Sequence, residues 1–291
     1  MPIITITNQK GGVGKTLMAC ALSVGLALLG KRVMLIDGDP QGHASNAFIN
    51  EETLLKIESN NETLLDYITS TKPVTRLVVQ SVSLLNHTID VLPSTIKAIS
   101  NIARGQFPFM NVLVLRQLIE RYNLRDRYDY IIIDSAPEIY TPTMMTMTAA
   151  DYLLIPTTTS LLALRGVQLT LTEAVPLVLP FNPNVRILGI VFNMTHSHMK
   201  AETYEKLMGF VLSRLPKQIV DLLPRNAIFN TKFRANKRYF GDLLFTYDKP
   251  AMPLLYVLSH EDIRDLFVSF AKEVITRIDE LYVSKITKEV A

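Results

Sequence analysis

The chain has 291 residues, 48% hydrophobic and 20% charged, a balance that excludes a disordered polymer and allows one large α/β domain or two small ones. Lysines and arginines number 30 against 27 acids, a net charge of +3, which excludes a polycation that coats nucleic acid indiscriminately and confines any such surface to a local patch. Cys20 stands alone, which excludes an internal disulfide and a Cys-based zinc or iron–sulfur site within one chain and fits a reducing cytoplasm.

The N-terminus opens on a strand-like run, without the charged-then-apolar pattern of a leader. No uninterrupted apolar stretch approaches bilayer length, so a soluble protein is expected. Residues 3–7 read as the first strand. They run into Asn8-Gln9-Lys10-Gly11-Gly12-Val13-Gly14-Lys15-Thr16, and a helical pattern over 14–29 follows at once. Strand, glycine-rich loop and helix form the context that a phosphate cradle requires. Glycines let backbone N–H groups turn inward, the helix N-terminus adds its positive dipole end, and a lysine at position 15 neutralises β- and γ-phosphate oxygens. Thr16 would place its hydroxyl on Mg2+. A plain turn can also hold three glycines, but Gly-Lys-Thr in frame behind a strand favours the cradle. The strict pattern wants glycine where this chain has Gln9, and Lys10 is an additional lysine inside the loop.

A second strand over 32–36 ends in Asp37-Gly38-Asp39-Pro40-Gln41-Gly42. Carboxylates at the C-terminal end of a parallel strand sit on the ligand-binding edge; the alternative is a polar strand-to-loop turn. Residues 50–86 are the least readable. They are expected to carry surface helices, one of them around 63–69, as an elaboration of the domain. Strands follow at 89–92, 130–133, 152–155, 187–192 and 219–223, with helices at 110–122, 164–178 and 201–215. The strand over 130–133 is closed by Asp134, which carries a further carboxylate to the same edge for Mg2+. Over 261–282, Ile263, Leu266, Phe267, Phe270, Val274, Ile275, Ile278 and Leu281 recur at helical spacing, and the mixed charges around them favour a helix docked on the core over one lying on a membrane. Apolar runs without alternation, separated by helices, predict a mostly parallel twisted α/β sheet with helices on both faces, built as one domain over 1–291.

Between 214 and 238 the chain gathers Arg214, Lys217, Arg225, Lys232, Arg234, Lys237 and Arg238 with only Asp221 as counter-acid. That density suits contact with a phosphate backbone; a solvated loop and helix face is the alternative. The interleaved Phe229, Phe233, Tyr239 and Phe240 are explained at least as well by core packing.

The segment from Lys10 to Thr16 resembles the deviant phosphate loop of the ParA/MinD group of P-loop ATPases. Asp37 to Gly42 and the strand ending at Asp134 are similar to that group's other two motifs. Departures are Leu17, where the group usually has a second threonine, and Ser135-Ala136-Pro137, where one proline is missing. The resemblance runs from the first strand to about residue 230 and implies ATP and Mg2+ as cofactors, with Gly11, Gly12, Val13, Gly14, Lys15, Thr16 and Leu17 around the phosphates. It further implies that Lys10 crosses a homodimer interface to the partner's nucleotide, and that Asp39 helps to set up the attacking water and the metal shell. Asn193 and Pro224 become candidate contacts of the adenine, with a strand-terminating turn as the alternative for each. Arg225, Lys232, Arg234, Lys237 and Arg238 become candidate contacts of non-specific DNA. A cytoplasmic, nucleoid-associated partition ATPase stimulated by a ParB-like centromere-binding protein is expected, without stable membrane association. A MinD-like membrane switch and a metabolic enzyme on the same fold are the competing classes.

Overall fold

A computed structural model describes residues 1–69, 77–95, 111–137, 141–196, 198–235 and 259–290. The chain alternates strands and helices from its start. β1 (Ile3–Ile6) leads to α1 (Lys15–Leu28), β2 (Val33–Asp37), α2 (His43–Phe48), α3 (Glu51–Ser59) and α4 (Leu64–Thr69). β3 (Gln80–Leu84) and β4 (His87–Leu92) form a hairpin, followed by α5 (Val114–Arg121), α6 (Leu124–Arg127), β5 (Tyr130–Asp134) and α7 (Thr141–Ala149). Then come β6 (Tyr152–Thr157), the long helix α8 (Leu161–Val178), β7 (Arg186–Phe192), α9 (Ala201–Leu212), α10 (Lys217–Val220) and α11 (Glu261–Val290).

The seven strands form one sheet in the order β3-β4-β2-β5-β1-β6-β7, parallel throughout except for the β3–β4 pair. Successive residues of each central strand enter opposite cores. Ile4, Ile6, Leu35 and Ile132 face α1 and α11, whereas Ile3, Met34, Ile36, Ile131 and Ile133 face α4, α5 and α7. Both faces are dry, which is why these strands read as unbroken apolar runs. Toward the β7 edge, Leu153, Ile155, Ile187, Ile190 and Phe192 pack under α8 and α9.

Helix α11 lies on α1 through Ile263, Phe267, Phe270, Ala271, Val274 and Ile278, all buried in the core shared with β1 and β5. The approach is close: a Cβ on Gly25 would stand 2.1 Å from the Phe267 carbonyl oxygen.

Three expectations are corrected. The run over 219–223 is no strand: Pro216 precedes a single helical turn, α10, in which Ile219 is buried and Val220 exposed. Residues 50–86 are not purely helical, because β3 adds an edge strand whose alternating polar residues leave one face to solvent. Finally, α8 does contain a window apolar and long enough to cross a bilayer; half of it is buried, with Leu164, Val167, Leu171 and Val178 in the core against β6 and β7, so here it serves as a core helix.

Candidate functional site

The three motifs meet where β1, β2 and β5 end side by side, with Ile6 and Asp37 both in register with Asp134. β1 hands the chain to the glycine loop, and the loop enters α1 with Gly14 as its N-cap. Gly12 (φ 75°) and Gly14 (φ 93°) take left-handed conformations that side chains resist. A Cβ on Gly14 would also come within 2.1 Å of the Asn193 amide nitrogen. A Cβ on Gly11 or Gly12 would meet nothing within 4 Å, so the loop backbone is open on that side. With the first amides of α1, which lack partners inside the helix, it forms a concave array of donors suited to an anion.

Lys15 is 7% exposed and donates from Nζ to the Lys10 carbonyl oxygen at 3.2 Å. Burial pulls its pKa below the ordinary lysine value, while Asp134 and Asp39 pull it back. Asp134 is fully buried, and neither carboxylate oxygen accepts a hydrogen bond of normal geometry. Burial first, then the neighbouring Asp37, hold its carboxyl well above the usual range, and the adjacent Thr16 side chain offsets part of this. A buried carboxylate without donors, set beside a threonine hydroxyl and a lysine, fits Mg2+ held by one or two carboxylates, waters and phosphate oxygens. Among the described residues no cluster of three His, Cys, Asp or Glu could hold a metal by itself, so a phosphate ligand is part of the fit.

The Asp37 and Asp39 carboxyls are differently engaged. Asp37 is buried and accepts from the Ser45 amide at 2.7 Å and the Ser45 hydroxyl at 2.6 Å; burial outweighs these bonds and pushes its pKa up to about 7. Ser45 Oγ in turn accepts the Ser94 amide at 2.9 Å, tying the loop to the end of β4. Asp39, 7% exposed, accepts the Gln41 amide at 2.9 Å within its own turn. The Lys10 side chain is exposed, and the Leu17 side chain packs into the core, so only its backbone faces the cradle.

Asn193 is fully buried at the end of β7. Its Nδ2 donates to the Val13 carbonyl at 3.0 Å and its Oδ1 accepts the Met194 amide at 2.8 Å, so both ends of the amide are engaged within the protein. Pro224 is half-buried after α10. The segment beyond it runs beside β7 through bridges at Ile190–Ile228 and Thr195–Arg234. Glu273 and Arg277 of α11 hold it from below: Glu273 accepts the Asn230 and Thr231 amides at 2.6 and 2.8 Å, and Arg277 donates to the Ile228 carbonyl at 2.6 Å. Arg225 and Arg234 are exposed. Lys232 is half-buried, bonded to the Phe229 carbonyl, and desolvation lowers its pKa to about 8. Lys237 and Arg238 lie outside the described residues. Sequence reasoning assigned no role to Asn8, which stands in the loop itself, or to Gly166, which ends a segment over 163–166 that resembles the family, and it passed over Ser45 and Thr170.

An AAA domain family model matches residues 1–187. Chromosome partitioning protein ParA of Myxococcus xanthus is 30% identical over 235 residues, spanning 77% of this chain and 75% of the relative. Sporulation initiation inhibitor protein Soj of Bacillus subtilis is 29% identical over 231 residues, spanning 77% and 84%. The structure of pNOB8 ParA superposes with a TM-score of 0.82 at 25% identity, covering 96% of this chain and 99% of the other. A structure of pNOB8 ParA bound to nonspecific DNA matches with a TM-score of 0.80 at 26% identity over the same shares.

Proposed function

The chain belongs to the ParA/Soj family of P-loop partition ATPases, and from that premise we propose that it is a dimerising switch that holds non-specific DNA in its ATP state and lets go on hydrolysis. The observation that carries the reading is Asp134, a buried carboxyl that accepts no hydrogen bond of normal geometry, set beside Lys15 and Thr16 at the mouth of an open glycine loop. Residues 1–291 act as one unit in this reading.

Gly11 to Leu17 would hold ATP by their amides, Lys15 by its ammonium, and Thr16, Asp39 and Asp134 would hold the accompanying Mg2+. Bound there, MgATP supplies a γ-phosphoryl group whose transfer to water gives ADP and phosphate. Asp39 would orient the water, and the exposed Lys10 would reach the nucleotide of the second copy, where a cation offsets the repulsion between two facing triphosphates. Asn193 and Pro224 flank the base; the engaged amide of Asn193 supports a role for it as a wall that also braces the loop at Val13.

Pairing doubles the exposed arginines, Arg225 and Arg234, and each added phosphate contact multiplies affinity, so nucleotide state controls DNA retention. A ParB-like centromere-binding protein supplies the stimulus for hydrolysis, and the chain works in the cytoplasm on the nucleoid. The docking of α11 on α1 favours this over a membrane-bound switch, because the apolar stripe of that helix is already spent on the core. DNA retention measured with ATP, with ADP and without nucleotide, beside flotation with anionic liposomes, tests the reading. Retention with ATP alone and no flotation is expected; equal retention in all three states, or flotation without retention, overturns it.

A further inference from the structure

The glycine loop has two halves that are held differently. From Gly11 to Gly12 a side chain would meet nothing, whereas the preceding stretch is held by a side-chain bond from Asn8 to β6, a backbone bond from Gln9 to α8 and a bond from Lys10 back to Asn8. Asn8 Nδ2 donates to the Pro156 carbonyl of β6 at 2.7 Å, and its Oδ1 accepts the Lys10 amide at 2.8 Å. The Gln9 amide donates to Thr170 Oγ1 on α8 at 3.0 Å. Thr170 is fully buried and spends its own proton on the Gly166 carbonyl one turn earlier, at 2.8 Å, which leaves its oxygen lone pairs aimed at Gln9. Gly166 completes the fastening by having no side chain: a Cβ there would come within 2.5 Å of Asn8 Oδ1 and 2.6 Å of Lys10 Cβ. Thr170 also opens the π-helical turn Thr170–Ala174, a local widening that recurs at functional sites.

We propose that Gly166 and Thr170 are positioning residues for Lys10, fixing the backbone from which its exposed side chain reaches a second copy of this chain. The inference rests on the pairing role of Lys10 stated above. A lysine on a floating loop must order both its backbone and its long side chain on pairing; here α8 and β6 have ordered the backbone in advance, and only the side chain remains to be fixed. The glycine half of the loop lies outside this fastening, and Lys15, carried by α1, meets the fastened half at the Lys10 carbonyl, 3.2 Å from its Nζ.

Thr170→Val keeps the shape and removes the acceptor; Thr170→Ser keeps the acceptor. In the full chain, Thr170→Val is expected to leave ATP affinity near its original value, to lower the melting of the free chain modestly because the Gln9 amide loses its acceptor, and to weaken ATP-dependent pairing, read by sedimentation, about tenfold, the scale of one missing hydrogen bond. Thr170→Ser should restore pairing, and Thr170→Val added to Lys10→Ala should weaken it no further than Lys10→Ala alone. Hydrogen exchange of the Gln9 amide in the unsubstituted chain gives a check that needs no variant, and slow exchange is expected. If Lys10→Ala pairs normally, the pairing role and the inference fall together. If Lys10→Ala fails to pair while Thr170→Val pairs normally, if the double variant is additive, or if the Gln9 amide exchanges as freely as an open loop, the inference alone falls.

Discussion

Asp134 is where the chemistry of the site is concentrated in one side chain. A carboxylate buried without donors costs free energy, and the fold keeps it although Lys15, itself pulled toward neutrality by burial, compensates it only in part. In the proposed function a bound cation completes the site. Asp134→Asn removes the charge at nearly constant volume. Without nucleotide it is expected to raise stability by up to about 1–3 kcal/mol, because burial already penalises the ionised carboxyl and the amide carries no charge. The same substitution should abolish the rise in melting temperature that MgATP gives the unsubstituted chain. Thermal melts with and without Mg2+ and nucleotide decide it: a variant that gains nothing alone and keeps the full MgATP increment shows that Asp134 is a structural acid only.

At the scale of elements, the junction of α1 and α11 ties the C-terminus to the helix that starts at the phosphate loop. Gly25 allows it, since any larger residue there meets the Phe267 carbonyl at 2.1 Å from its first carbon. Gly25→Ala forces backbone apart from backbone and is expected to cost about 1–3 kcal/mol, the usual range for overpacking, in spite of alanine's better helix propensity. Urea unfolding measures it, and an unchanged or higher midpoint would show that α11 slides freely on α1. Which elements are legible from sequence follows from their surroundings. β1, β2, β5, β6 and β7 are buried on both faces, so each shows a run of apolar, mostly β-branched residues that needs no partner to be recognised. β3 shows Gln-Ser-Val-Ser-Leu, an edge strand with one wet face, and its hairpin turns on Leu85 at φ 54° without the usual glycine, so neither strand nor turn announces itself. The 219–223 run is short and largely apolar like a strand, and only the core under α9 decides that Ile219 is buried, with Leu222 and Leu223 half-buried against it and Val220 left outside. The phosphate loop is readable residue by residue because its parts are contiguous, while the hydrogen bonds that brace it join positions 161 residues apart for Gln9 and Thr170 and 49 apart for Ser45 and Ser94. No pattern along a single chain encodes such a distance.

For the molecule as a whole, the proposed function asks how a chain of net charge +3 would hold a polyanion. Its charge is uneven, and the segment after α10 presents Arg225 and Arg234 to solvent from a rigid base: Thr195, just beyond β7, pairs with that segment, and Glu273 and Arg277 on α11 grip its backbone. The same β7 end places Asn193 against the phosphate loop, two residues from Thr195, so the nucleotide pocket and the arginine segment share one short stretch of backbone. In the proposed function, arginines fixed in this way would contribute through neutralisation of phosphates and counterion release, not base reading, and their removal should act equally on all sequences. Arg225→Glu with Arg234→Glu is expected to lower DNA retention in the ATP state and to reduce the slope of log affinity against log salt by about 1 for each phosphate that a copy no longer neutralises. Lys232→Gln should change retention far less, because its ammonium is turned onto the Phe229 carbonyl and partly desolvated. Retention measured over a salt series separates the cases: an unaltered slope in the double arginine variant moves the DNA face elsewhere, and a Lys232→Gln effect as large as theirs means that this lysine swings outward to meet the phosphates.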